Sequence, residues 1–168
     1  LARAISISER IAKHATPRKP MRIEHETGVS ARIDGGDNVG YLVGRYATEI
    51  ALEKVKANGI AIVAAHNTWY TGMLSYYAEM AVAAGKVVMI ASNATAWVAP
   101  HAATEGRFGT NPMCFGFPGE ANPVIWDIGT SIIIHADAML ANRLGQPIAE
   151  GVAYDSKGHM TTDPKEAL

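Results

Sequence analysis

Apolar and polar positions in the first 60 residues alternate with the spacing of helices and strands. In "ARAISISERIAKH", Ile5, Ile7 or Ser8, and Ile11 share one side at helical spacing, which predicts a first helix. The segment "PMRIEHETGVSARIDGG" alternates apolar and polar residues around a glycine, as in a β-hairpin. "GGDNVG" then supplies a turn and an Asn/Asp start signal for a long helix over "YLVGRYATEIALEKVKANG", which Asn58-Gly59 ends. Its apolar stripe consists of Val43, Tyr46, Ala47, Ile50, Ala51 and Val55.

The middle of the chain predicts alternating strands and helices. "IAIVAA" is typical of a buried strand, followed by the loop "HNTWYTG" and a helix over "MLSYYAEMAVAAG" that ends at Gly85. "KVVMIAS" predicts a second buried strand, which ends before Asn93. The apolar pieces "MCFGFP" and "VIWDIG", separated by "GEANP", predict two short strands joined by a turn.

A third helix is expected to start with Ser131 as its cap and to run through "IIIHADAMLANRLG". Beyond Gly145 the chain turns polar and loop-like. Because strands alternate with helices in the middle while hairpins dominate the flanks, we predict an α/β fold with a mixed sheet.

Composition and charge exclude several classes of protein. Apolar residues make up 48% of 168 residues, which is enough for a core, and the formal net charge of −1 argues against a nucleic-acid partner. The basic run "KHATPRKPMR" contains two prolines and is interpreted as a solvated linker. No stretch has the length of uninterrupted apolar residues that a membrane helix needs, so no membrane partner is expected.

Cys114 is the only cysteine, which rules out an internal disulfide and a thiolate metal cage. Its apolar surroundings predict a small core residue, and the cysteine usage favours a reducing, cytoplasmic setting. The six histidines are scattered without the H-E-x-x-H spacing, so we predict no metal site. Generic motifs for dinucleotides, phosphates or a serine nucleophile are absent as well.

Two polar residues stand at the edges of the apolar strands, Asn111 before one and Asp127 at the end of the other. Asn111 lies in the turn "GTNP", where its side chain could bond the local backbone. Either these residues hold the backbone or they hold a ligand. The residues alone leave both alternatives open.

Several motifs in order resemble the type-2 malate/L-lactate dehydrogenase family. The matching residues are "FGTNP", "FGFP" and "NPVIWDIGTS", followed by "GQPIAEGVAYDSKGHMTTDPKEAL". Upstream, "ARIDGGDNVGYLVGRYATEIALEKVKANGIAIVA" is similar to the family's I-D-G turn and long helix, and "SN" with "VAPHAA" to a strand end and the loop after it. The resemblance covers essentially the whole chain. Members are about twice as long as this chain, so the family's C-terminal region is expected to be absent.

The resemblance implies an NAD- or NADP-dependent oxidoreductase for a small 2-hydroxy acid/2-oxo acid pair, or for a cyclic imino acid. It implies a family-specific, non-Rossmann domain in which the cofactor lies against a largely antiparallel sheet. Residues 1–58 would contribute to the substrate cleft and residues 59–168 would form the cofactor-binding sheet domain. Family members pair as dimers, so a homodimer is expected. The alternative is a catalytically inactive member that serves as a binding or subunit-interaction protein.

By the same resemblance, one set of residues would line the cofactor: Asn93, Asp127, Gly129, Thr130, Ser131, Ile132 and Ile133. Thr110 and Asn111 would lie in the substrate cleft. Ser131, as a helix cap, would place free N–H groups beside a pyrophosphate. Asp127 could instead brace the site without touching the cofactor. Asp137 replaces a common lysine, a variant that looks more like the imine-reductase branch.

The expected catalytic residues are Tyr70 and Arg3. "LAR" fits the last letters of the family's S-H-G-x-x-R motif, so Arg3 would anchor a carboxylate and a histidine would precede Leu1. The alternative is that Arg3 is a solvated residue on the terminal helix. Tyr70 stands where many members carry a second histidine; a phenol with its usual pKa of about 10 can donate a proton but is a poor base. Tyr70 would therefore act as the acid, would only position the substrate, or would leave proton transfer to the histidine expected before Leu1. His66 is an outside candidate, with a purely structural role as its alternative.

Overall fold

The computed structural model describes residues 2–13 and 18–168; the side chains of Ala2 and Arg3 lie outside this description. The helices and strands follow in the order α1 (Ala2–Lys13), β1 (Arg22–Glu26), β2 (Ser30–Val39), α2 (Gly40–Asn58), β3 (Ile62–Trp69), α3 (Ser75–Ala83), β4 (Val88–Ala91), β5 (Met113–Phe117), β6 (Val124–Ile128) and α4 (His135–Leu144).

The chain divides into two compact units. Residues 16–92 and 113–128 form one, called the sheet unit because it holds all the named strands. Residues 1–15, 93–112 and 129–168 form the other, called the loop unit. The division expected after residue 58 stays a prediction.

The first sheet of the sheet unit has the order β1–β2–β3. β1 and β2 form the predicted antiparallel hairpin, with Ile23 opposite Ile33, and β3 adds in parallel. Ala31, Ile33 and the helix residue Val43 are buried, which confirms the apolar stripe of α2 as a packing face. α2 ends as predicted: Gly59 adopts the left-handed conformation (φ 76°) and donates its N–H to the carbonyl oxygen of Val55.

Two predictions around this sheet were wrong. "GGDNVG" does not cap the long helix, because its first residues continue β2 and α2 begins after the apolar Val39. Asn38 instead donates to the carbonyl oxygens of Lys19 and Gly35, both at 2.8 Å, and so holds the strand. Likewise "HNTW" belongs to β3, since Thr68 and Trp69 pair with Asn38 and Val39.

The second sheet has the order β4–β5–β6, antiparallel throughout. The predicted strand pair "MCFGFP" and "VIWDIG" is confirmed, and so is the helix over "MLSYYAEMAVAAG" as α3. α3 packs on this sheet through the buried residues Leu74, Tyr77, Ala78 and Cys114, joined by Val88, Ile90 and Ile125. Cys114 is fully buried, as predicted, and burial raises the pKa of its thiol. These sheets and helices confirm the predicted α/β class with mixed, largely antiparallel pairing.

The expectation that "IAIVAA" and "KVVMIAS" are buried strands was wrong. β3 and β4 are edge strands of three-stranded sheets, and Ile62 and Met89 are 68% and 61% exposed. A continuous apolar run predicts a strand that is buried on both faces of its sheet. Among the described helices, α2 packs on the first sheet and α3 packs on the second.

The loop unit contains α1, α4 and the polar tail. The predicted first helix is confirmed as α1. Glu9 of α1 forms an ion pair with Arg143 of α4 at 3.3 Å. The tail after Gly145 consists of turns, as predicted; in one of them Asp155 accepts the N–H groups of Lys157 and His159. Among the helices of residues 2–13 and 18–168, none combines the length and the apolar character needed to cross a membrane.

Candidate functional site

The turn "GTNP" ties two segments of the loop unit together. The Oδ1 atom of Asn111 accepts the N–H of Ala94 at 3.1 Å, next to the predicted cofactor residue Asn93. Asn111 adopts a positive φ of 33°, which asparagine tolerates better than most residues. A Cβ atom added at the buried Gly109 would lie 2.6 Å from Asn111 Oδ1, so this position requires glycine. The side chain of Asn111 therefore holds the backbone at Ala94.

The segment after β6 joins this turn. Thr130 donates both its N–H and its hydroxyl to the carbonyl oxygen of Thr110, at 2.8 and 2.9 Å. The structure thus brings together three segments that contain residues predicted for the cofactor site and for the substrate cleft. They are residues 93–94, 109–111 and 129–133. We call them the three-segment cluster.

The cluster leaves space beside Gly129 and Ile132. A Cβ atom at Gly129 would meet only Ile134 Cγ2, at 3.8 Å, among atoms within 4 Å. Ile132 is 84% exposed, so its apolar side chain is accessible. An open glycine beside an exposed apolar side chain suits the approach of a flat, partly apolar ligand such as a nicotinamide nucleotide.

Ser131 does not cap a helix, so that prediction was wrong. α4 begins at His135, and the Ser131 hydroxyl donates to the carbonyl oxygen of Ile133 at 2.7 Å. Moreover, the first turn of α4 carries Asp137, and a carboxylate there disfavours a second anion at the helix N-terminus. The reason for placing a pyrophosphate at this helix is therefore lost.

Asp127 lies in the sheet unit, at the end of β6. Its Oδ2 atom accepts the N–H of Ser75, the first residue of α3, at 2.7 Å. The preceding residue, Leu74, has an apolar side chain that cannot accept this bond, so Asp127 supplies the helix cap from a neighbouring strand. The observed contact is structural, in agreement with the expected alternative of a brace.

Tyr70 occupies a strained loop between β3 and α3. It adopts a left-handed conformation (φ 56°), which is costly for an aromatic residue, and its side chain is 37% exposed with its ring edge-on to Trp69.

The hydroxyl of the buried Tyr77 donates to the carbonyl oxygens of Thr71 at 2.6 Å and Gly40 at 3.2 Å. Burial raises the pKa of Tyr77 to about 12, so the donor stays protonated.

Arg3 and His66 are the other two catalytic candidates. The side chain of Arg3 lies outside the described part of the chain. His66 lies within β3, and its Nε2 atom is 2.9 Å from Glu24 Oε2. This hydrogen bond lowers the pKa of the Glu24 carboxyl group, and it matches the structural alternative for His66.

The sequence reasoning missed the buried carboxylate of Asp34. This side chain accepts the N–H of Gly36 at 2.9 Å, the amide of Asn67 at 2.8 Å and the Arg22 guanidinium at 3.2 Å. These donors, Gly36 first and then Asn67, lower its pKa to about 2. Asn67 is itself left-handed (φ 52°) and precedes Tyr70 by three residues. The motif "IDGG" indicates a buried carboxylate, because the aspartate directly follows a buried isoleucine. It does not identify the partners of that carboxylate.

A stacked pair in the loop unit was also missed. The rings of Trp97 and His135 lie 3.9 Å apart at 25°, and burial lowers the pKa of His135, which favours a neutral imidazole at pH 7. The pair joins a loop residue to the first residue of α4, and no periodicity in the sequence links the two.

Comparisons with known proteins agree on one family. The family model described as malate/L-lactate dehydrogenase matches residues 1–168. The L-sulfolactate dehydrogenase of Methanothermobacter thermautotrophicus is 35% identical over 158 residues, which is 93% of this chain and 46% of that protein. A Δ1-pyrroline-2-carboxylate/Δ1-piperideine-2-carboxylate reductase of Pseudomonas putida is 37% identical over 123 residues, 73% of this chain and 36% of the reductase.

A solved structure supports the same conclusion. The crystal structure of a dehydrogenase from Sinorhizobium meliloti superposes with a TM-score of 0.88 at 30% identity, covering 98% of this chain and 48% of that one. The chain thus spans less than half the length of the relatives that it matches. Since the family model matches the chain from end to end, the protein belongs to the malate/L-lactate dehydrogenase family.

Proposed function

We propose that the protein is an NAD(P)-dependent oxidoreductase that interconverts a small 2-hydroxy acid and its 2-oxo acid, or a cyclic imino acid and its reduced form. The end-to-end family match carries this proposal. The relatives named above are a sulfolactate dehydrogenase and a cyclic-imine carboxylate reductase. Their named substrates share a carboxylate next to the carbon that gains or loses hydride. The proposed substrates are therefore small acids whose carboxylate is bonded to the carbon that gains or loses hydride.

We assign the cofactor to the three-segment cluster. Gly129 would let the nucleotide approach the backbone, and Ile132 and Ile133 would give it an apolar surface. Asn93, Thr130 and Ser131 would supply polar contacts. When bound, a nicotinamide cofactor supplies or accepts the hydride. Asp127 would act at one remove, by capping α3.

Substrate handling is assigned to Thr110, Asn111, Tyr70 and Arg3. Reduction of a 2-oxo acid needs a proton donor for the carbonyl oxygen and a cation for the carboxylate. Tyr70 has an exposed phenol that can donate a proton, and its strained backbone is the kind of feature that clusters at functional sites. Arg3 would hold the carboxylate with its planar fork of donors.

Homodimer formation and a cytoplasmic setting belong to this proposal as well. The named relatives are enzymes, and they lend no support to the alternative of an inactive binding protein. Titration of the protein with NADH and with NADPH distinguishes the two cofactors.

A substrate panel tests the proposed activity. The purified protein is assayed with NAD and NADP against malate, L-lactate and L-sulfolactate, and with NADH and NADPH against Δ1-piperideine-2-carboxylate. We expect turnover with at least one of these pairs, and its loss on Tyr70→Phe. Absence of turnover with the whole panel would contradict the proposed activity.

A further inference from the structure

A bulge interrupts the pairing of β2 with β3. After Asp34 the two strands lose their register, so residues 35–37 of β2 stand opposite the single residue Asn67 of β3. Gly36 (φ 62°) and Asp37 (φ 58°) on one strand and Asn67 (φ 52°) on the other adopt positive φ values. Left-handed backbone at a non-glycine residue is costly and persists only where surrounding contacts hold it. Bulges are frequent beside active sites, where they redirect a side chain.

The carboxylate of Asp34 joins the two sides of this bulge. Its Oδ1 atom accepts the N–H of Gly36 at 2.9 Å on β2 and the side-chain amide of Asn67 at 2.8 Å on β3. Its Oδ2 atom accepts the guanidinium of Arg22 from β1 at 3.2 Å. Asp34 is buried, and hydrogen bonds to a carboxylate are stronger than those between neutral groups. One oxygen thus holds both strands of the bulge, and the other forms an ion pair.

The end of β3 connects the bulge to Tyr70. Trp69, the last residue of β3, donates its indole N–H to the carbonyl oxygen of Asp37 at 3.0 Å, and its ring lies 5.6 Å from the ring of Tyr70. On the other side of Tyr70, the hydroxyl of Tyr77 donates to the carbonyl oxygen of Thr71. The left-handed backbone of Tyr70 is therefore held from both sides, by the bulge before it and by a residue of α3 after it.

We propose that Asp34 is a positioning residue for the reaction: by joining Gly36 to Asn67 it fixes the end of β3 and, with it, the direction of the Tyr70 phenol. This inference rests on the proposed function, in which Tyr70 donates the proton. The donor must lie within hydrogen-bond reach of the atom that it protonates. A misplacement of about 1 Å costs about 100-fold in rate. Loss of the Asp34 bridge therefore lowers turnover although Asp34 itself touches no substrate.

Fluorine NMR tests the positioning without an assay of activity. Tyr70 is replaced by 3-fluorotyrosine, and in a control sample Tyr76 of α3, which is similarly exposed, is replaced instead. Asp34→Ala removes the bridge, and Asn67→Gly removes its cross-strand partner while a left-handed backbone stays accessible. Both variants should shift or broaden the signal of position 70 and leave that of position 76 unchanged. An unchanged signal of position 70 in both variants would overturn the proposal.

Kinetics separate positioning from a merely structural role. Asp34→Ala should lower kcat about 10- to 100-fold at an unchanged Kd for NADH or NADPH. Asp34→Asn keeps an acceptor oxygen for both bridging donors and should restore most of the kcat. Arg22→Gln removes only the ion pair of the same carboxylate and should keep the parental kcat. In a Tyr70→Phe background Asp34→Ala should cause no further loss, because its effect acts through the phenol.

Asn67→Gly keeps the carboxylate and its ion pair, so the kinetic test stands even where Asp34→Ala does not fold. Parental kcat in Asn67→Gly, an equal loss in Arg22→Gln, or a loss in Asp34→Ala that adds in full to that of Tyr70→Phe would each overturn the proposal. Absence of turnover in the parent chain would contradict the proposed function alone, since the fluorine spectra still decide whether Asp34 positions Tyr70.

Discussion

The carboxylate of Asp127 accepts the backbone N–H of Ser75 at 2.7 Å, so the end of β6 caps the start of α3. This contact links the strand of the "VIWDIG" motif to the helix that follows Tyr70. The role of Asp127 as a helix cap therefore explains the presence of a carboxylate in this motif without any ligand.

Removing this cap should lower stability. Asp127→Ala leaves the N–H of Ser75 without its acceptor, and we expect a loss of about 1 kcal/mol in the free energy of unfolding, measured by urea denaturation. Asp127→Asn keeps an acceptor oxygen and should lose less. Glu120→Ala, in the exposed turn between β5 and β6, is the control and should stay within about 0.5 kcal/mol. An Asp127→Ala protein as stable as the parent would show that the contact does not cap α3.

Replacing the phenol at position 70 separates catalysis from binding. Tyr70→Phe keeps the ring beside Trp69 but removes the proton donor, so turnover should fall by about 10²- to 10⁴-fold while the Kd for cofactor is unchanged. Tyr76→Phe, 43% exposed on α3, is the matched control with full activity. Normal turnover by Tyr70→Phe would remove this residue from the chemistry.

The Asp34 network predicts how stability depends on acid. Because its pKa is lowered to about 2 in the folded chain, the unfolded chain binds this proton first as pH falls. The contribution of Asp34 to stability is therefore complete above its ordinary pKa of 3.8 and is lost as pH falls through about 2. Urea midpoints measured across this range should fall with pH in the parent and change less in Asp34→Asn. Glu79→Gln, exposed on α3, should keep the parental slope; an identical slope in Asp34→Asn would contradict the assignment.

Gly109 and Gly28 form a matched pair of glycine positions. A methyl group at Gly109 would lie 2.6 Å from Asn111 Oδ1 and 2.7 Å from the carbonyl carbon of Ala94, so the turn must shift. We expect Gly109→Ala to cost about 1 to 3 kcal/mol in unfolding free energy. At Gly28 the nearest atom, Asn58 Oδ1, is 3.9 Å away, and Gly28→Ala should be near neutral. Equal effects of the two substitutions would contradict the tight turn at residues 109–111.

The sequence predicted those elements whose pattern is local. The hairpin of β1 and β2, the length of α2 up to Gly59 and the strand pair β5–β6 follow from alternation, helical spacing and turn residues. The burial of β3 and β4 was wrong because an apolar run does not reveal how many partners a strand has. The start of α4 was missed because Ser131 bonds Ile133 instead of capping the helix.

The candidate site was predictable only through the family resemblance. The adjacency of residues 110 and 130 depends on how the chain folds back after β6, and periodicity cannot indicate it. The same holds for Asp34 with Asn67 and for Trp97 with His135, whose members are far apart in sequence. Such partners are set by tertiary packing.

Cofactor binding tests the central claim most directly. NADH and NADPH are titrated into the purified protein and followed by their fluorescence, with Gly129→Val as the comparison because the fold leaves room for a Cβ atom there. The account predicts saturable binding of at least one of the two nucleotides at one site per chain, and at least tenfold weaker binding in Gly129→Val at unchanged Tm. Failure to bind either nucleotide, or equal affinity of Gly129→Val, would contradict it.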